Sequence, residues 1–317
     1  MAQGTIISLG SVNADFQVRV DEKPGNTTTL LGHDFLRLSG GKGANVAFLA
    51  CHLGASASLI AHVGDDDLQE QALRPLREKG IDLEGVKSVK NQPTGVSMIA
   101  VSPDGKKQII LAPNANDVWE ESDADGVQEA LEQAPEGSVL VVDYEVAAFI
   151  VVRAIKAAKK RNFPVILDPS PYDRVDRKLL SQVDYLVPDD SETEGLTGIL
   201  PDSVENAKKA ALKLREEGVA NVLVKMKDGG CVAATKEFIL HIPPVPAEAV
   251  DTTGAGDAFA GALSVAVLEN RPLKEAACFA SSASLAAITG YGSQPAYPNR
   301  EQIGHYFDQV FGKIQEL

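Results

Sequence analysis

Short runs of aliphatic and β-branched residues recur along the chain, at Thr5–Leu9, Ser58–Val63, Val139–Val142, Val165–Leu167, Tyr185–Val187 and Val222–Val224, with helical patterns between most of them. Runs this short and this apolar read as strands buried on both faces. Neighbouring parallel strands need long crossover connections, which helices supply while covering the sheet. The sequence therefore predicts an α/β fold, doubly wound, with a mainly parallel central sheet flanked by helices. Two stretches break the rhythm, about 13–38 and 93–112. The second carries the turn Pro103-Asp104-Gly105 between Val96–Val101 and Gln108–Leu111. Together they predict a small antiparallel β lid on one domain spanning 1–317. A further hairpin is expected from Cys231 to Leu240, and helices at about Asp257–Glu269, Leu273–Ile288 and Arg300–Gln315. No repeat or low-complexity linker marks a second domain.

Composition narrows the partners. Forty-four acidic residues against thirty basic ones give a formal charge of −14, which repels nucleic-acid backbones and anionic membrane surfaces. The N-terminus MAQGTIISLG lacks the basic region of a signal peptide and reads as a first strand. The most apolar stretch, Val139 to Val152, is broken by Asp143 and Glu145 and falls short of a membrane span. Cys51, Cys231 and Cys278 have neither disulfide nor metal spacing and are read as buried thiols, which fits a reducing cytoplasm. Asp65-Asp66-Asp67 lacks calcium-loop spacing and is read as a helix start.

Two segments carry chemistry. In Asp251-Thr252-Thr253-Gly254-Ala255-Gly256-Asp257, the glycines let the backbone turn so that several N–H groups converge. The helix that follows adds roughly half a positive charge at the same point. The result is an anion hole with a carboxylate, Asp257, in position to take a proton from an attacking hydroxyl. Helix capping is the alternative role for Asp257. In Gly40-Gly41-Lys42-Gly43-Ala44-Asn45, paired glycines allow close approach to a ligand, and Lys42 and Asn45 share a helix face from which they could meet vicinal hydroxyls. A plain glycine turn before a helix is the alternative. A Walker A loop would need glycine where Leu36 stands and Ser or Thr where Gly43 stands. A dinucleotide fingerprint would need glycine where Phe259 stands.

GGKGAN and DTTGAGDAFAGAL resemble the two signatures of the ribokinase-like (PfkB) carbohydrate kinases. Ser11-Val12-Asn13-Ala14-Asp15, Gly64-Asp65-Asp66, Pro93-Thr94-Gly95-Val96 and Gly292-Ser293-Gln294-Pro295 resemble family segments in the same order. The resemblance implies an ATP-dependent kinase acting on a sugar hydroxymethyl group, with Asp257 as base and Gly254, Ala255 and Gly256 as the anion hole. It places the sugar on Asn13, Asp15, Gly41, Lys42, Asn45 and Glu145. It assigns the nucleotide to Asp189, Lys225, Gly230 and Ser281, and Mg²⁺ to Glu192, directly or through water. It implies a potassium site at Asp251, Thr253, Ala287, Gly290 and Gly292, although Ala296 stands where ribokinases carry Ser.

Asp189 stands where the family usually has Asn, and the acidic run Asp189 to Glu192 equally suits a helix N-terminus. Lys225 and Lys227 also depart from the ribokinase pattern. D-ribose leads as substrate, ahead of fructose, 2-keto-3-deoxygluconate or a nucleoside. A non-catalytic sugar-binding protein is the reading from another class. The expected partners are the sugar and ATP, with no nucleic acid or membrane. A homodimer paired through the lid would protect its strand edges.

Overall fold

The structure, a computed structural model, describes residues 4–25, 29–227 and 229–317. Part of the predicted lid, 26–28, and one position of the lysine-bearing loop, Asp228, lie outside the described residues, as do the first three residues of the chain. The N-terminal half runs β1 (Ile6–Leu9), β2 (Asn13–Val20), β3 (Gly32–Gly40), α1 (Lys42–His52), β4 (Ala57–Gly64), α2 (Leu68–Lys79), β5 (Val86–Val89), β6 (Gly95–Val101) and β7 (Lys107–Ala112). It continues through α3 (Glu121–Gln133), β8 (Val139–Val142), α4 (Ala148–Lys160), β9 (Val165–Leu167), β10 (Tyr185–Leu186), α5 (Asp190–Thr197), α6 (Val204–Glu216) and β11 (Asn221–Lys225). The remainder is β12 (Cys231–Ala234), β13 (Ile239–Ile242), α7 (Ala255–Leu268), α8 (Leu273–Ala287), α9 (Arg300–Phe311) and β14 (Gln315–Glu316).

The large sheet has the order β14-β13-β12-β11-β10-β9-β8-β1-β4-β5. Every pair from β5 to β11 is parallel, and only the β11–β14 end is antiparallel. Side chains alternate between two cores, as the strand period of two requires. Ile6, Val139 and Val141 pack with α1, α2, α7, α8 and α9, whereas Ile7, Leu9, Leu140 and Val142 pack with α3, α4 and α6.

From β1 the chain winds outward to β4 and β5, then returns to build β8 through β11 on the other side. The strand order therefore reverses between β1 and β8. At such a point the carboxyl ends of the strands open a crevice, the usual ligand position in open α/β sheets. Ser11 follows β1, Glu145 follows β8, Asp168 follows β9, Asp189 follows β10, and Lys225 ends β11.

The small sheet has the order β3-β2-β6-β7. Its outer pairs are antiparallel, as the sequence predicts, but the central pair β2–β6 is parallel. The reason is connectivity: β2 and β6 come from separate insertions joined through α1, β4, α2 and β5, and no hairpin links them. Two other expectations need correction. Cys51 is only half-buried, its thiol bonded to the Lys79 carbonyl, while Cys231 and Cys278 are buried. The helix carrying Asp257 begins two residues earlier than expected, at Ala255, so the carboxylate lies within its first turn.

Candidate active site

Asp251 organises the anion-hole loop from beneath. It is wholly buried; its Oδ1 accepts the Thr253 N–H at 2.8 Å, and its Oδ2 accepts the Gly292 N–H at 2.9 Å and the Gln17 amide at 2.7 Å. Gly254 then turns the chain with φ +74°, and a Cβ there would stand 2.6 Å from the Tyr297 hydroxyl, so only glycine fits. The Tyr297 hydroxyl donates to the Gly254 carbonyl at 3.2 Å. The loop thus delivers the first turn of α7, where a helix cannot satisfy its own N–H groups, to the floor of the cleft.

Asp257 stands in that turn and is buried. Its Oδ2 accepts the Asn45 side-chain N–H at 2.7 Å, and its Oδ1 lies 3.6 Å from the Lys42 ammonium. Lys42 and Asn45 share a face of α1 as expected, but both donors already point at Asp257 and so orient its carboxylate before they could meet vicinal hydroxyls. Gln294 fixes Asn45 in turn, donating to its Oδ1 at 3.1 Å and to the Ser39 hydroxyl at 3.1 Å.

Asp168 is the residue the sequence reading missed. Its Oδ1 lies 3.3 Å from the Lys42 ammonium and its Oδ2 3.6 Å from that of Lys225. Burial alone would push its carboxyl up, but Lys42 and then Lys225 reverse this and hold it below the usual carboxylate range. Burial likewise works against the charge on Lys42, yet Asp168 and Asp257 keep its pKa well above the ordinary lysine value. The signal was present in the sequence: an acid directly after the buried run Val165–Leu167, at the carboxyl end of a parallel strand.

Near the start of β2, Asn116 donates to Asn13 Oδ1 at 2.9 Å and to the Val12 carbonyl, while Asn13 donates to the Ser97 hydroxyl. Asn116 carried no sequence signal, because its contact is made across the fold. Glu145 accepts the Ser11 hydroxyl at 2.6 Å, and the same hydroxyl accepts the Lys42 N–H. Burial, chiefly, raises the Glu145 carboxyl. A Cβ at Gly40 would fall 1.9 Å from the Asp15 carboxylate, and one at Gly41, whose φ is +92°, would fall 2.5 Å from the Ser11 carbonyl. The paired glycines exist to let this acid and backbone in. Asp15 is 4% exposed and its Oδ1 has no hydrogen-bond partner. Burial above all, with smaller contributions from Asp257 and Glu145 and some relief from Ser97, pushes its pKa to about 7.

Asp189 and Glu192 line the other end of the cleft. They form a reciprocal capping box on α5, Asp189 Oδ1 accepting the Glu192 N–H at 2.9 Å and Glu192 Oε2 accepting the Asp189 N–H at 2.8 Å. The helix-start role of this acidic run is therefore realised, and it occupies the Asp189 side chain. Burial, then the Asp168 charge, raises the Glu192 carboxyl to about 7. Lys225 and Gly230 also line this end, and the buried Ser281 hydroxyl there has no hydrogen-bond partner.

Asp251, Ala287, Gly290 and Gly292 lie behind the loop, outside the cleft lining, and the Asp251 carboxylate is a tether for two backbone strands. Among the described residues no group of three or more His, Cys, Asp or Glu is gathered for a metal ion. The cleft, about 960 Å³, is roofed by the small sheet. The turn of that sheet docks on the anion-hole loop: the Gly105 carbonyl accepts both the N–H and the hydroxyl of Thr252, at 3.0 and 3.2 Å, and Lys107 donates to the Thr252 carbonyl at 3.2 Å.

A deep cleft with a carboxylate in a helix's first turn, cations beside it and a roof hydrogen-bonded to the loop is the arrangement expected of a phosphotransferase. Comparison with known proteins agrees. The pfkB family carbohydrate kinase pattern matches residues 3–300. The chain belongs to the pfkB family of carbohydrate kinases. It is 32% identical over 308 residues to the ribokinase of Haemophilus influenzae, covering 96% of this chain and 99% of that one. It is 31% identical over 302 residues to the deoxyribokinase of Salmonella typhi, covering 95% and 98%. The structure of Arabidopsis thaliana ribokinase complexed with ribose and ATP superposes with a TM-score of 0.80 at 29% identity, over 97% of this chain and 99% of the other. This member of the pfkB family is thus an ATP-dependent sugar kinase with the fold of the ribokinases.

Asp15 yields a pH test. Its carboxyl titrates near 3.8 in the unfolded chain and near 7 in the folded one. The stability it contributes is complete below the lower value and is lost as pH rises through about 7, because only the folded state keeps the proton in between. Glu192 acts in the same sense. The ligand-free melting temperature should fall between pH 5 and 8, and Asp15→Asn should flatten that fall; an unchanged slope would mean that Asp15 does not carry the proton.

Proposed function

We propose that this pfkB-family kinase transfers the γ-phosphoryl group of ATP to the hydroxymethyl oxygen of a pentose, D-ribose first, with Asp257 as the base. The observation that carries the reading is the position of Asp257, in the first turn of α7 and held there by Asn45 and Lys42 facing the polar end of the cleft. The sugar hydroxyls would be held by Asn13, Asp15, Gly41, Asn45 and Glu145. The partnerless Asp15 Oδ1 would accept one of them. A buried acceptor of this kind discriminates against an analogue lacking the hydroxyl by about 10⁴-fold, which is how a ribose kinase would reject a deoxy sugar. The reacting hydroxyl gives its proton to Asp257, and the N–H groups of Gly254 to Gly256 face the transferred group.

Mg²⁺, when bound, neutralises phosphate oxygens. The residues present fit such an ion, since magnesium commonly takes one or two carboxylates and completes its shell with phosphate and water. Glu192 would supply that contact, directly or through water. The nucleotide would lie along Lys225, Gly230 and Ser281, with Asp189 restricted by its capping role. The small sheet would act as a lid, closing through its Gly105 contact with Thr252 and excluding water from the transfer.

A potassium ion beside the loop is part of the same proposal. The Thr253 hydroxyl, buried and without a hydrogen-bond partner, supports it, and backbone carbonyls around 287–292 would complete the shell. A homodimer through the lid is supported by the apolar outer face, where Phe16, Met98 and Ile110 sit in register and Phe35 stacks on Phe16. The free thiols support a cytoplasmic location.

An ADP-release assay over ribose, 2-deoxyribose, fructose, 2-keto-3-deoxygluconate and nucleosides should give its highest kcat/KM with ribose; a better substrate in that panel replaces it. Asp257→Asn should bind both ligands and lose about 10²-fold to 10⁴-fold in kcat, and near-parental turnover would refute the base. Exchanging potassium for tetramethylammonium should lower kcat, and no change would remove the cation site. Sedimentation should show a dimer that Ile110→Glu converts to monomer; a parental monomer would exclude the lid pairing.

A further inference from the structure

Asp168 belongs to neither signature, yet it touches a lysine from the first signature and another from the end of β11. Its side chain is 5% exposed, and those of Lys42 and Lys225 are 20% and 15% exposed. The two ammonium groups lie on different oxygens of the one carboxylate, Lys42 on Oδ1 and Lys225 on Oδ2. Lys42 also reaches Asp257 on the far side. The Lys225 ammonium sits against the first turn of α7, 3.4 Å from where a Cβ on Gly256 would be. One carboxylate thus spreads two cations across the N-terminus of α7, the first beside Asp257 and the second beside the anion-hole backbone.

Without it, two buried like charges would face each other across the cleft, and each long flexible chain would turn to the nearest other acid, Asp257 for Lys42 and Glu192 for Lys225. The Asp168 Oδ2 makes no hydrogen bond, so no neutral donor competes for it. Ordinary packing does not need such an arrangement, since a buried charged trio costs desolvation that a neutral side chain avoids. Transfer of a phosphoryl group does use cations fixed in advance where negative charge develops.

We propose that Asp168 is a positioning residue for phosphoryl transfer, holding Lys42 and Lys225 on opposite sides of the transferred group so that Lys42 steadies the base and Lys225 meets the phosphate oxygens. This rests on the reading of Asp257 as base and the α7 N-terminus as anion hole.

The test uses the full chain, with Asp168→Asn, Lys225→Met and the double variant. Asp168→Asn should weaken binding of a non-hydrolysable ATP analogue about tenfold and lower kcat about 10- to 100-fold, while the sugar KM moves less than about threefold. Lys225→Met should show the same split. Because both changes break the Asp168–Lys225 contact, the double variant should fall clearly short of the product of the two single losses. A merely structural Asp168 would lower the melting temperature without separating the nucleotide from the sugar. The proposal is overturned if Asp168→Asn keeps kcat and analogue affinity within about twofold of the parent, or if the losses multiply in the double variant. Should Asp168→Asn fail to fold, unchanged analogue affinity in Lys225→Met overturns it equally. Near-parental turnover of Asp257→Asn alongside the split in Asp168→Asn would sink the base, and with it the role given to Lys42, and leave the hold of Asp168 on Lys225 standing.

Discussion

A carboxylate that must stand beside a triphosphate is repelled by it, and the architecture of this kinase follows from managing that repulsion. The chain as a whole makes the problem worse, with a formal charge of −14. Relief has to be local. It comes from the N-terminal end of α7 and from three ammonium groups carried by separate elements: Lys42 on α1, Lys225 on β11 and Lys107 on β7. Only a fold that brings the carboxyl ends of β8, β9, β10 and β11 to one edge can assemble them. Because charges in a low-dielectric cleft interact far more strongly than in water, a few fixed cations outweigh a distant surplus of surface acids.

The small sheet adds a dependence of its own. The Gly105 carbonyl takes both donors of Thr252, and a Cβ at Gly105 would stand 2.8 Å from the Ala249 carbonyl. Contact this close ties the position of the sheet to the shape of the anion-hole loop. The same sheet carries Asn13 and Asp15 at the start of β2, so that end of the cleft and the glycine loop are joined through one mechanical element. Lys107, reaching the Thr252 carbonyl from the adjoining strand, is delivered to the cleft by that same contact.

What the sequence revealed was what local pattern can encode. The buried strands β1, β4, β8, β9, β10 and β11 announce themselves because apolar runs need no partner to be recognised, and glycine-rich loops announce themselves through backbone freedom. β5 and β14 did not: one is only partly buried and the other is exposed, so neither carries an apolar signature. The parallel β2–β6 pair was hidden for a different reason, since two insertions that meet in space leave no hairpin turn between them. Within the site, Asp257, Asn45 and Lys42 were legible from spacing, but their mutual contacts were not. Asp168, Asn116 and Gln294 act through partners distant in the sequence, each with at least one a hundred or more residues away. Asp189 had two readings, and the capping box realises the one that backbone hydrogen bonding demands.

The charge pattern of the cleft also bears on which substrates are chemically reasonable. At the sugar end the groups facing inward are acids and amides: Asp15, Glu145, Asn13 and Asn45. Lys42 there is already paired twice, and Lys107, whose charge reaches Asp15, is bonded to the Thr252 carbonyl. Burial has pushed the acids upward, so the ligand-free site holds more negative charge than its surroundings accept. Hydroxyl groups of a ligand would relieve this by donating hydrogen bonds to carboxylate oxygens such as the partnerless Asp15 Oδ1. A carboxylate or phosphate on the substrate would add charge to the same oxygens, with Lys107 as the cation left to receive it. The acids at this end thus suit hydroxyl donors, whichever sugar carries them.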